Sequence, residues 1–93
     1  HGLDGASLAG LFAWTGREFL ERTAGSALRR IGHERWLRNI AVALGNAPST
    51  PEVLAAIDSR IDDASRLVRE HTRWARAEHA ARKVPPRGFS AAR

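Results

Sequence analysis

The sequence has no cysteine, no methionine and no tyrosine, and only one of its 15 basic residues is a lysine. Without cysteine the chain can form neither disulfides nor cysteine-held zinc or iron–sulfur sites, and it offers no thiol nucleophile. Because it lacks methionine and starts at His1, we expect a piece of a longer protein. No uninterrupted apolar run exceeds five residues, as in Ile40–Leu44, whereas a bilayer span needs about 20. We therefore expect a cytoplasmic location and no membrane association.

Arginine is by far the most abundant charged residue in the chain. The 93 residues include 14 arginines and carry a net charge of +5. A guanidinium group binds phosphate through two parallel hydrogen bonds, so this composition favours an anionic partner. The length suits one small domain, and 43% hydrophobic with 27% charged residues is typical of a folded globular chain.

Apolar residues recur at helical rather than strand spacing along the chain, which predicts an all-α fold. A capping box at Thr15–Glu18 begins one helix, and Gly45-Asn46 is predicted to end another. The predicted helices cover 7–14, 15–24, 26–31, 33–44, 52–61 and 66–83. We predict a helical domain over 1–83 and a mobile tail rich in proline and arginine over 84–93.

A weak internal repeat relates the two longest predicted helices. The residues that recur 31 positions later are Leu37, Ala41 and Leu44, matched by Val68, Thr72 and Ala75. A helix, a turn with aspartates and a second helix separate the two copies. This arrangement is typical of HEAT-like antiparallel helix pairs stacked into a short α-solenoid, with the short leading helices as a cap.

The arginines are expected to share one face of this stack. On a helical wheel, four of them fall within an arc of about 80° on the last helix, opposite its apolar side; these are Arg66, Arg69, Arg73 and Arg76. Arg35 and Arg38 lie on the polar side of the earlier helix. A continuous basic face could follow a nucleic-acid backbone. Two alternatives stay open: a solvated polar face, and for Arg69 an ion pair with Asp62 or Asp63.

Other residue types give weaker signals. His71 and His79 have no cysteine nearby, and they do not form a recognisable metal site. The three tryptophans, Trp14, Trp36 and Trp74, fall on apolar faces, where core packing outranks base stacking. No catalytic constellation is present, so a stand-alone enzyme is improbable.

The run from Arg22 to Ala47, RTAGSALRRIGHERWLRNIAVALGNA, closely resembles the C-terminal region of bacterial epoxyqueuosine reductases. Four further segments are similar to the same region, so that the resemblance covers roughly residues 1–80: His1–Asp4, Leu11–Trp14, Leu67–His71 and Trp74-Ala75. The resemblance implies a parent enzyme that reduces epoxyqueuosine to queuosine at the wobble position of transfer RNA. It also implies cobalamin and two 4Fe-4S clusters in the parent, held by parts that precede this region, and no cofactor in this chain.

The same resemblance implies that this region helps to hold the tRNA anticodon stem-loop beside the catalytic portion of its own chain, as a monomer. The residues expected to contact tRNA are Arg29, Arg30, His33, Arg35, Arg38, Arg69 and Arg73. A hypothesis of another class is a HEAT-type protein-interaction module without a tRNA role, which would bind an acidic protein surface.

Overall fold

The computed structural model describes residues 4–83, and these residues form helices and the loops between them. Within these 80 residues there are five α-helices and one short 3₁₀ helix: α1 Gly5–Phe12, α2 Gly16–Arg22, the 3₁₀ helix Ala27–Arg30, α3 His33–Asn46, α4 Pro51–Ser59 and α5 Arg66–Lys83. Residues 4–83 contain no β-strand, so the predicted all-α fold is confirmed. The tail predicted to be mobile, 84–93, lies outside the described residues.

Local caps begin α2 and α4 where the sequence predicts them. At α2 the Thr15 hydroxyl accepts a hydrogen bond from the Glu18 amide at 3.1 Å, and the Glu18 carboxylate accepts one from the Thr15 amide at 2.9 Å. At α4 the Thr50 hydroxyl accepts from the Val53 amide at 3.2 Å, and Pro51 is the first helical residue. These bonds satisfy amides that have no partner inside a helix, and they fix where each helix starts.

Helix α1 begins two residues before its predicted start. The Asp4 carboxylate caps it by accepting a hydrogen bond from the Ser7 amide at 2.8 Å. That bond favours the ionised carboxylate, so it lowers the pKa of Asp4. Aspartate is a strong N-cap residue, and the helix therefore starts at Gly5 rather than at Ser7.

Helix α3 extends two residues past its predicted end at Leu44, because it includes Gly45 and ends at Asn46. Gly45 is buried against α5. A Cβ at this position would overlap the ring of Trp74 and would lie 3.1 Å from the Cα of Ala75. The glycine therefore lets two helices approach closely, and this tertiary contact overrides its usual role as a helix terminator.

The helices form two layers of two. Helix α1 packs against α4, and α3 packs against α5. Near their starts, Glu34 of α3 accepts a hydrogen bond from Ser65, which precedes α5; near their ends, the Leu44 carbonyl meets His79. Helices α3 and α5 therefore run in the same direction. Assignment of this layering to HEAT-type repeats stays a prediction.

The core lies between the two layers. Its buried side chains come from α1, α3, α4 and α5, and they include Phe12, Leu37, Ile40, Leu44, Val53, Ile57 and Val68. Helix α2 contributes Phe19, which is also fully buried. Within residues 4–83, no helix has both the length and the apolar character needed to cross a bilayer.

Arg60 ties the end of α1 to the loop that follows α4. Its guanidinium donates to the carbonyls of Phe12 at 2.7 Å and Trp14 at 2.9 Å, and it pairs with the Asp63 carboxylate at 2.8 Å. Both charged side chains are largely buried, at 17% and 16% exposed. Arg60 thus links α1 to α4 at one end of the layer that these two helices form.

His79 and Arg82 of α5 likewise bind backbone carbonyls, here at the end of α3. The fully buried imidazole of His79 donates from Nε2 to the Leu44 carbonyl at 2.7 Å, and its Nδ1 lies 2.6 Å from the Ser49 hydroxyl. Arg82 donates to the Ala47 carbonyl at 2.9 Å and also to that of Gly45. These bonds give donors to carbonyls at the end of α3, where helical amides run out; the Leu44 carbonyl also accepts from the Ala47 amide at 3.2 Å.

Candidate nucleic-acid interface

Most arginines of the basic face predicted on α5 are already engaged with acidic groups. Arg73 pairs with the Asp62 carboxylate at 2.8 Å and donates to the Ile61 carbonyl at 3.0 Å. Arg76 pairs with Asp58 at 3.1 Å. Both partners belong to α4 or to the loop after it, which together carry four acidic residues, Glu52, Asp58, Asp62 and Asp63. The guanidinium groups on this side of α5 thus point at the protein's own negative charge.

Arg69 also binds the loop between α4 and α5, but through main-chain groups. Its Nη1 donates to the carbonyl of Asp63 at 2.9 Å and to that of Ala64 at 3.2 Å. The sequence suggested a carboxylate partner at Asp62 or Asp63. The predicted loop is correct, but Arg69 binds its carbonyls and not a carboxylate, because the Asp63 carboxylate already pairs with Arg60.

The arginines on the 3₁₀ helix and the first half of α3 have a different environment. Arg29, Arg30 and Arg35 are exposed, and none forms an ion pair with a carboxylate of residues 4–83. Arg38 is half-buried, and its Nε donates to the neutral Asn39 side chain at 2.9 Å. We call these four residues the arginine strip. They are the predicted contacts whose charge is least compensated by neighbouring acids.

His33, which the sequence groups with the arginines, supports the fold. Its Nε2 donates to the Trp14 carbonyl at 2.9 Å, and its ring lies 5.7 Å from that of Phe19. Helix α3 is thereby fixed to the end of α1. The histidine holds the arginine strip in place, since it is the first residue of the helix that carries Arg35 and Arg38.

Two of the three tryptophans pack together behind the strip. Trp14 and Trp36 are stacked, with ring centroids 5.5 Å apart and an angle of 16° between the rings. Phe19 lies at 5.5 Å from Trp36, and the Arg22 guanidinium sits over Trp14 at 5.3 Å. Such contacts stabilise a small domain, in agreement with the packing role predicted for these two rings.

Trp74 is not a core residue, in contrast to the sequence prediction. It is 39% exposed and lines an open groove of about 370 Å³ between α3 and α5, together with Val42, Glu70 and His71. This groove is not among the features predicted from the sequence. One signal was available, because Val42 is an apolar residue on the polar side of α3, opposite Ile40 and Leu44.

The groove continues the line of the arginine strip along α3. Arg35, Arg38 and Val42 are spaced three and four residues apart, so they lie on the same side of the helix. The structure therefore brings an uncompensated basic strip and an open aromatic groove together on one surface. Arg69 and Arg73 are not part of that surface, because they face α4 and its loop.

The residues present do not fit an iron–sulfur cluster. Such clusters are held by cysteine thiolates, and the sequence has none. Among residues 4–83, no three histidine, aspartate or glutamate side chains are grouped as metal ligands. This surface offers guanidinium donors for anionic groups and one partly exposed aromatic ring.

Comparison with known proteins gives a consistent result. The chain is 65% identical over 77 residues to an epoxyqueuosine reductase of Xanthomonas campestris and 61% identical over 79 residues to one of Pseudomonas aeruginosa. It is 52% identical over 81 residues to that of Escherichia coli. The matches cover 83%, 85% and 87% of this chain. No family model and no solved structure matches.

The chain spans about a fifth of the length of these curated relatives, since the matches cover 21–22% of each. The resemblance predicted from the sequence is confirmed. Over more than four fifths of its residues, this chain is similar to one segment of the epoxyqueuosine reductases.

Proposed function

We propose that this chain is the C-terminal, tRNA-engaging domain of an epoxyqueuosine reductase. In this proposal the full-length enzyme reduces epoxyqueuosine to queuosine at the wobble position of tRNA in the cytoplasm. The catalytic portion of the same chain carries cobalamin and the two 4Fe-4S clusters, and the present domain holds the anticodon stem-loop. Similarity of 65% over 77 residues to a relative of that name supports the assignment.

The observation that carries the proposal is the separation of the arginines into two groups. Those of α5 form ion pairs or bind carbonyls within the domain, so an RNA phosphate would have to displace an existing partner. Those of the arginine strip have no carboxylate partner within residues 4–83. A phosphate can bind them with release of its counterions, which is the main source of affinity for nucleic acids.

Two triple variants test this assignment against a simple effect of net charge. One replaces Arg29, Arg30 and Arg35 by alanine, and the matched control replaces Arg17, Arg73 and Arg76. Both lower the net charge by three. Arg17 and Arg73 are exposed and Arg76 is half-buried; all three form surface ion pairs, and loss of such pairs costs little stability. Circular dichroism would verify that both variants keep their helical content.

We expect the strip variant of the full chain to bind an anticodon stem-loop at least 10-fold more weakly at low salt. The slope of log affinity against log salt should fall by about 2 to 3, because each lost phosphate contact removes about 0.7–0.9 from it. The control should change affinity by less than threefold.

Equal loss in both variants would mean that overall charge, and not the strip, controls binding. A wild-type chain that binds no RNA, but binds an acidic protein that an RNA hairpin does not displace, would favour the protein-interaction module instead.

A further inference from the structure

We propose that the groove between α3 and α5 accepts one unpaired RNA base, which stacks on Trp74. The inference rests on the proposed function, and it adds a position where a base rather than a phosphate is recognised. Four side chains line the groove: Val42 from α3, and Glu70, His71 and Trp74 from α5.

Trp74 is held as a stacking platform. Its ring fills the space beside Gly45, where a side chain would collide with it, so the ring is fixed against α3 along one edge. It is nevertheless 39% exposed, and Val42 across the groove is 37% exposed. A fixed aromatic ring with an open face is what single-stranded nucleic-acid sites provide for a base.

The polar groups of the groove are acceptors. The Leu67 carbonyl can only accept, so His71 must donate to it from Nδ1, at 2.9 Å, which leaves Nε2 of the neutral ring as an acceptor. One carboxylate oxygen of Glu70 accepts from Arg66 at 2.9 Å, and the other has no hydrogen-bond donor within residues 4–83. This pair is complementary to a base with an amino group, namely adenine, cytosine or guanine, more than to uracil.

The arginine strip gives the RNA backbone a route into the groove. Arg35 and Arg38 lie on the same side of α3 as Val42, with Arg38 one helical turn before it. A strand that follows these guanidinium groups with its phosphates reaches the groove with its next base. The ion pair of Glu70 with Arg66 offsets the repulsion that a free carboxylate would exert on that strand.

The test compares two RNA probes with the same number of phosphates: a hairpin with a single-stranded loop, and a fully paired duplex. The full chain should bind the hairpin more tightly. Trp74→Ala should weaken hairpin binding roughly 10-fold, leave duplex binding unchanged and leave the salt slope unchanged, because no charge is lost. Trp74→Phe should retain most of the preference. A hairpin whose loop contains only uridine should bind more weakly than one whose loop contains adenosine.

Two further variants keep the test independent of folding defects. Val42→Phe fills the groove from α3 while Trp74 stays in place, and it should abolish the preference for the hairpin. Leu20→Ala removes another exposed apolar side chain, 47% exposed on α2, and should change nothing.

The proposed base site in the groove would be overturned if the preference for the hairpin survived both Trp74→Ala and Val42→Phe. The proposed function would stand if the arginine-strip variant still bound both probes more weakly. A wild-type chain without salt-dependent RNA binding would overturn both.

Discussion

The indole of Trp74 occupies the space that a Cβ on Gly45 would need. Glycine within a helix costs about 1 kcal/mol relative to alanine, and here that cost is offset by close packing of α3 on α5. The same contact orients the ring toward the groove. Helix packing and the shape of the candidate base site therefore depend on one small residue.

Gly45→Ala should destabilise the domain in spite of the higher helix propensity of alanine. The added methyl group meets the Trp74 ring and the Cα of Ala75, and such overpacking costs about 1–3 kcal/mol. Gly10→Ala in α1 is the matched control, because a Cβ there has no neighbour within 4 Å. It should raise the free energy of unfolding by up to about 1 kcal/mol. Urea denaturation measures both, and a stabilising Gly45→Ala would contradict the packing.

Thr72→Val should stabilise the domain. Thr72 is fully buried, and its hydroxyl has no hydrogen-bond partner within residues 4–83. It occupies the repeat position that Ala41 holds in α3. Valine keeps the shape and removes an unsatisfied polar group, which should raise the free energy of unfolding by about 1 kcal/mol. A loss of stability in the same denaturation experiment would show that the hydroxyl is satisfied.

His79→Leu should lower the free energy of unfolding by about 1 kcal/mol, because it removes a buried hydrogen bond to the Leu44 carbonyl, which keeps the bond from the Ala47 amide at 3.2 Å. Ser49→Ala removes only the bond on the other side of the ring, from an exposed serine, and should cost less. Thermal unfolding of the two variants ranks the bonds. Equal effects would mean that His79 stabilises the domain mainly through Ser49 and not through the Leu44 carbonyl at the end of α3.

Arg60→Lys should cost about 1–3 kcal/mol although it preserves the charge. Lysine cannot reach the Phe12 and Trp14 carbonyls and the Asp63 carboxylate together, since it lacks the planar fork of arginine. Arg66→Lys is the control, because Arg66 is 82% exposed and forms one surface ion pair. Its effect should stay below about 0.5 kcal/mol. Similar values for both substitutions would refute the bridging role of Arg60.

The features that the sequence predicts correctly are local ones. The capping box at Thr15–Glu18 and the start of α4 at Thr50-Pro51 depend on residues within one helical turn, so they can be read from spacing alone. Gly45 follows the same local rule and misleads, because its reason lies 29 residues away in Trp74. Rules based on neighbouring residues fail where a contact with a distant side chain determines where a helix ends.

The candidate site shows the same division. That Arg35 is exposed follows from its place on the polar side of the predicted helix over 33–44. The sequence places the partner of Arg69 in the correct loop, but which group of that loop binds Arg69 or Arg73 depends on how the loop folds back on α5, and spacing does not reveal that. The groove at Trp74 forms because α3 and α5 pack in one particular register, and that register can be seen only in the structure.

The bonds from Arg60 to the carbonyls of Phe12 and Trp14 join residues 48 and 46 positions apart. A ribosome adds about 5–20 residues per second, so α1 is made roughly 2–10 s before the arginine that secures it. During that interval its eight residues are too few to stay helical alone. Of the helices in residues 4–83, α1 is therefore translated before the others and is among the last to be docked.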